Sequence, residues 1–460
     1  VKNSVLQKLI GIMEKALTEM EAVISPDALE ALAVTIHKSM TYQARRFHNL
    51  DHVLAFYDPA NPIQSLAALY HDIVYYQVDR GIHPDIYRVL APYIEERDGE
   101  IRLKENIPQS DRLYHLVLEI FGCQPGQRCT QTDGVNELLS ALFMAKTLQG
   151  IVPETPLLKM VICVEATIPF RGVEADGKSH FERLEERLMD ISRRYELGWE
   201  AQDIIAALHL AVAFANRDVD NFAARDAGTF LSNTWKLLPE TNMPLRSRDI
   251  YTIREYRQAL QKMEAFMGWL KPENVFHQYR GVPPRRKLAR LIRRTTENLN
   301  TARAYLQIKL LTVGILEALA EVTGGDAPLS LFMGDVVSGS SRRLEDYLPA
   351  EVNPDYAERN SALYRLLDHR ENELSDFDTE RSPLSLFLYR SVSPEQLSRY
   401  WQAAQEMFNG DLTAEAFLKQ LDPQILSIVA RAAAEMVSTR RKQLLHYATK
   451  PRENITTGQV

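Results

Sequence analysis

Apolar positions recur at intervals of three and four through most of the chain, the spacing that gives a helix one apolar face. Leu6, Leu9, Ile10, Met13, Leu17 and Met20 trace such a face. Ser25-Pro26-Asp27 reads as a cap with proline in the first turn of a second helix, over 28–40. A polar stretch, 42–52, comes next, then a break at Asp58-Pro59-Ala60-Asn61-Pro62 and an apolar helix over 63–71. The same periodicity predicts helices over 84–96, 110–120, 133–148, 155–166, 179–194, 199–216 and 218–237. A polar, proline-containing loop is expected over 238–248, ahead of a helix over 249–270. The stretch 100–103 has the character of a short strand.

Past residue 270 the texture changes. Pro272, Gly281, Pro283 and Pro284 interrupt the chain, and a basic helix over 285–294 runs into a long one reaching about 322, where Thr323-Gly324-Gly325-Asp326 stops it. A loop-rich stretch, 326–357, precedes helices over 358–370, 394–408, 412–420 and 423–447, and 451–460 reads as a frayed tail. The expectation is an all-α protein in two parts, 1–270 and 271–460, the second a helical extension.

Composition narrows the class. Hydrophobic residues make up 45% and charged residues 25%, which fits a globular chain and excludes a disordered or fibrous one. Lys and Arg number 54 against 61 Asp and Glu, a net charge of −7 that argues against bulk binding to nucleic acid or anionic membrane. The longest apolar run, 204–216, is too short to span a bilayer. The opening stretch interleaves Lys2, Lys8, Glu14, Lys15 and Glu19 with its apolar residues, as an amphipathic helix does and a targeting signal does not. Cys123, Cys129 and Cys163 read as ordinary thiols of a reducing, cytoplasmic compartment.

The chemistry concentrates in a few residues. His48-Asn49-Leu50-Asp51-His52 sets two imidazoles four apart, which on a helix places them on one face. His71-Asp72 then closes the apolar run Leu66-Ala67-Ala68-Leu69-Tyr70. A buried His and Asp need partners, and a divalent metal satisfies both. Such a metal lowers the pKa of bound water, and a further histidine can protonate a leaving oxygen.

The strings Phe47-His48-Asn49-Leu50-Asp51-His52 and Leu69-Tyr70-His71-Asp72-Ile73-Val74-Tyr75 resemble the HD-domain metal-dependent phosphohydrolases, and among them the bacterial members with His-Asn-x-x-His followed by His-Asp. The resemblance spans about residues 35–258. It implies an all-helical bundle with a metal at its centre. It implies His52, His71 and Asp72 as metal ligands, and His48 as general acid with Asn49 as its companion. It implies a last ligand that is an aspartate on a later helix, for which Asp218 is the choice, with Asp220 as the alternative and Asp203 behind it. The family's Thr-then-His pattern has no histidine in Val164-Glu165-Ala166-Thr167-Ile168-Pro169-Phe170, which argues against a second metal. Glu165 there replaces a ligand, positions water or substrate, or is a surface residue. Asp79 and Arg80 are candidates for substrate contact, and Arg171 and Arg217 for holding a phosphate, since guanidinium matches phosphate in a bidentate way. His209 reads as a satisfied buried histidine.

The expected function is hydrolysis of a phosphate ester, with nucleotides and cyclic nucleotides among the candidate substrates, by one divalent transition metal: manganese, iron or zinc. The rivals are a non-catalytic scaffold and, behind it, a di-iron oxygenase. Arg280, Arg285, Arg286, Lys287, Arg290, Arg293 and Arg294 form a basic cluster for an acidic ligand, a partner subunit or solvent. Residues 271–460 offer a surface for self-association or a protein partner, and 338–343 an anion-binding turn.

Overall fold

Short polar residues open the helices where the sequence puts them. Ser4 and Gln7 exchange reciprocal hydrogen bonds at the start of Val5–Glu19, and Ser25 caps Pro26–Met40. The computed structural model describes residues 4–448 except 98, 131–133, 248–249, 335–341, 351, 353–360 and 373–382. The expected tail at 451–460 and most of the 338–343 turn lie outside them. The described chain is mostly helical, with one small antiparallel sheet. None of its described helices is long and apolar enough to cross a membrane.

Two compact units emerge. Residues 1–224 join 270–296 in the first, and 225–269 join 297–460 in the second. The chain therefore passes between them after 224, 269 and 296, so that 225–269 belongs to the second unit and 270–296 to the first.

In the first unit, Pro62–Tyr70 is buried at every position from Gln64 onward, and Glu154–Ala166 is buried continuously from Met160. Glu154–Ala166 packs against Pro62–Tyr70, Val135–Leu148 and Ala201–Asp218. Each fully buried aliphatic side chain contributes about 1.5–3 kcal/mol, so these helices are fixed in place. Asp72, Glu165 and Asp218 lie where the apolar runs of three of these helices stop.

The sheet corrects the expectation of helix alone. Ile94–Arg97, Glu100–Leu103 and Arg128–Cys129 form strands β1, β2 and β3 in the order β1-β2-β3, with Ile94 opposite Leu103 and Ile101 opposite Cys129. The expected strand over 100–103 is β2. The expected helix over 84–96 instead ends at Leu90, and the chain goes on into β1, with Gly99 at φ 77° ahead of β2. The helix expected over 218–237 is likewise broken, into a 3₁₀ turn at Asp220–Ala223 and the helix Ala227–Thr234.

The 40-residue helix Arg285–Gly324 is continuous, with no break between its basic start and its apolar remainder. In the second unit its buried face includes Tyr305, whose ring lies against Trp235, with the Lys309 ammonium over both rings. Arg257 and Arg254 converge on the Glu317 carboxylate there.

Candidate metal centre

His71 caps the C-terminus of Pro62–Tyr70, and its side chain is 1% exposed. Its Nδ1 lies 2.8 Å from the Ala68 carbonyl oxygen, so that nitrogen carries the proton and donates it. The lone pair on Nε2 is left facing the carboxylates. Asp72 Oδ2 is 2.9 Å and Asp218 Oδ1 3.5 Å from that nitrogen. Neither is aligned for a hydrogen bond, so Nε2 is buried and orphaned. His52 Nε2 lies 3.2 Å from Asp218 Oδ1 and 3.7 Å from Asp72 Oδ2.

These positions have local causes. Asn49 is the N-cap of Leu50–Phe56, its Oδ1 accepting from the backbone N–H groups of Asp51 and His52 while its Nδ2 donates to Arg46 O. Asn49 thus orients His52. It also ends the expected sharing of a helix face, because His48 precedes the helix. The His48 ring still packs edge-on against Tyr75, 4.6 Å between centroids, and lies 5.8 Å from that of His52. Asp72 is held through its backbone: the fully buried Arg45 donates to Asp72 O at 2.5 Å and to Ile73 O, and grips Asp79 with Nε and Nη2. Asp79 is therefore spent on Arg45. Arg80 is exposed, in the left-handed region at φ 59°.

His52, His71 and Asp218 each offer a ligand atom within 4.8 Å of the others. Ligand atoms that share one ion at bonds of about 2.0–2.2 Å sit roughly 3–4 Å apart, and the distances above fall in that range. Asp220, by contrast, is exposed in the turn beyond. The donor set of imidazole and carboxylate suits a divalent transition ion.

The electrostatics agree. Burial pushes Asp72 up, but the adjacent His71, with His48 and His52, holds its carboxyl well below the ordinary range. Burial also raises Asp218, yet the neighbouring His52 and His71 imidazoles bring it down to about 2. His71 is pushed down by burial and lifted further by the Asp72 and Asp218 carboxylates, so its pKa ends well above the usual value. Two carboxylates that face one imidazole nitrogen form a charge arrangement that a divalent cation would satisfy in place of a proton.

Glu137 is a carboxylate that the sequence did not single out. It sits in the first turn of Val135–Leu148, a helix tied to the chain after the dyad: Tyr76 N donates to Asn136 Oδ1 and Val74 N to Ser140 Oγ. Gly134, at φ 72°, opens that helix, and a Cβ there would fall 2.4 Å from Ile168 Cδ1. Burial is the main cause raising the Glu137 carboxyl to about 7, and the Asp72 and Asp218 charges add to it against its own backbone N–H and Arg171. The folded protein thus holds this proton more tightly than the unfolded chain. That stabilisation is present below the ordinary value of 4.5 and is lost as pH rises through about 7. Glu137→Gln is expected to stabilise the metal-free protein at pH 8.5 by about 1–3 kcal/mol, with the gain gone near pH 4. Urea unfolding at both pH values in chelator checks this, and a variant no more stable than wild type at pH 8.5 contradicts it.

The remaining candidates sort by what they touch. Arg217 donates to Phe56 O, Asp58 Oδ2 and Gln64 Oε1, so its guanidinium ties helices together instead of facing the histidines. Glu165 is 1% exposed, which removes the surface reading, and it faces Arg171, Arg187 and His180. Two guanidinium groups on one carboxylate leave it no place as a metal ligand. His209 was expected to be satisfied, yet its buried Nε2 has no hydrogen-bond partner. No family model, curated protein or solved structure matches this chain.

Proposed function

We propose that the first unit hydrolyses a phosphate ester with one divalent transition metal held by His52, His71, Asp72 and Asp218. The observation that carries this is the orphaned Nε2 of His71, buried and aimed at two carboxylates beside a second imidazole. The likeness of the His-Asn-x-x-His and His-Asp strings to HD-domain phosphohydrolases points the same way. An ion so held supplies Lewis acidity and a water that loses its proton near neutral pH.

The chain's own groups supply the rest. Asn49 fixes His52, and Arg45 with Asp79 fixes the dyad. Glu137, in the field of both aspartates, accepts the proton of the attacking water. His48 lies outside the ligand group, and its ring is set edge-on by Phe47 and Tyr75. It donates a proton to the leaving oxygen as the phosphorus–oxygen bond breaks.

This assignment separates binding from chemistry. His48→Ala is expected to lower turnover about 100-fold or more while leaving metal content unchanged, the range of a lost general acid. Turnover on a panel of phosphate monoesters and cyclic diesters, beside elemental analysis, reads both. Equal loss of metal and rate would make His48 a ligand instead.

A further inference from the structure

The helix Glu154–Ala166 ends in a charged cluster that the reaction above leaves unused. Glu165 Oε1 accepts from Arg171 Nη1 at 3.0 Å and from Arg187 Nη2 at 2.8 Å, and Oε2 lies 3.0 Å from His180 Nε2. Arg171 Nη2 donates at 2.7 Å to Glu165 O, and Arg187 Nε at 3.1 Å to Ile120 O. Arg171 is thus fixed by the side chain and the backbone of one residue.

Two features leave Arg171 able to take a further anion. The first is charge. One carboxylate faces two guanidinium groups, and burial keeps the neighbouring His180 and His277 below their usual pKa, so neither imidazole adds charge near neutral pH. One positive charge is left over. The second is access and aim. Arg171 keeps a quarter of its side chain exposed, and its Nε is buried with no hydrogen-bond partner. Phe170 just before it has φ 60°, a strained conformation for a bulky residue, and its ring meets Phe222, four residues past Asp218. The turn next to Arg171 therefore packs on the 3₁₀ turn that follows the helix carrying Asp218. The Arg171 charge is felt by Glu137, which also feels Asp72 and Asp218.

We propose that Arg171, braced by Glu165, Arg187 and His180, is the anion site that takes the phosphoryl oxygens of the substrate beside the metal. This rests on the phosphohydrolase reading and adds to it the group that recognises the phosphate. A planar guanidinium with its position set in advance binds a tetrahedral oxyanion without a further ordering cost.

Inorganic phosphate, the product of monoester hydrolysis, is the probe. It is titrated calorimetrically into the full chain, metal-free and manganese-loaded, for wild type, Arg171→Ala, Arg171→Lys and Arg193→Ala. Arg193 is an exposed control on the helix His180–Arg194. Arg171→Ala is expected to weaken phosphate binding about tenfold or more in the loaded protein, Arg171→Lys less, and Arg193→Ala not at all. Metal content should be unchanged throughout. If Arg171→Ala upsets folding, Arg171→Lys, which keeps the charge on Glu165 but loses the planar fork, carries the test. Wild-type affinity in both Arg171 variants overturns the proposal, as does a wild type that binds no phosphate in either state. Failure of the phosphohydrolase reading looks different: phosphate binds through Arg171, yet no ester is hydrolysed.

Discussion

Asp218→Ala is expected to strip the metal from the protein and lower phosphoesterase turnover by about a thousandfold or more. Removal of a group that only orients a ligand typically costs 10–100-fold, and Asp218 is proposed as a ligand itself. Its Oδ1 lies within 3.5 Å of both histidine Nε2 atoms, so alanine also removes the charge that holds the two imidazoles toward a common point. Asp218→Asn keeps the shape and should lose metal nearly as fully, because the missing element is negative charge. Asp220→Ala, two residues on and exposed, should leave both metal and rate within about twofold. Metal content and turnover measured on the three variants check this. Retention of metal by Asp218→Ala would move the last ligand elsewhere.

Glu165→Ala is expected to destabilise the protein by about 3–5 kcal/mol, the cost of breaking a buried ion pair by removing one partner. Alanine leaves Arg171 and Arg187 as like charges with no counter-ion between them, and His180 Nε2 without its neighbour. Glu165→Gln keeps an acceptor for the guanidinium N–H groups and should cost less. The pH dependence has a definite sign. Burial pushes Glu165 up, but Arg171, His180 and Arg187 hold it well below its ordinary value. Its contribution is therefore complete above the ordinary value of 4.5 and is lost as pH falls toward the folded value. Wild type should lose stability in acid more steeply than Glu165→Gln. Calorimetric unfolding between pH 3 and 7 measures both effects, and a loss under about 1 kcal/mol for Glu165→Ala contradicts the account.

The parts of the candidate site that could be read along the chain are those that lie in short strings. His52, His71 and Asp72 stand in the strings that resemble the HD-domain family, and Asp218 ends the apolar helix Ala201–Asp218. Other parts depend on partners far away in sequence. Glu137 reads as an ordinary acid in a helix's first turn, favoured there by the helix dipole, and only packing against 74–76 shows what it faces. Glu165 closes an apolar run, but its partners come 6, 15 and 22 residues later. Arg217 adjoins Asp218, yet successive helix residues point about 100° apart, and its guanidinium goes to Asp58 and Gln64. The His48–His52 spacing suggests a shared helix face, which the Asn49 cap prevents. In the fold, long amphipathic helices were legible from periodicity. The strand Ile94–Arg97 was not, because its residues Glu95, Glu96 and Arg97 are polar and its register is set by pairing with Glu100–Leu103.

Elemental analysis of the protein purified without added metal or chelator, beside the His71→Ala/Asp72→Ala variant, tests the central claim most directly. The account predicts close to one equivalent of manganese, iron or zinc in wild type, or its uptake on reconstitution, and loss of that metal in the folded variant. Metal retained equally by the variant, or none taken up by wild type even after reconstitution, would contradict it.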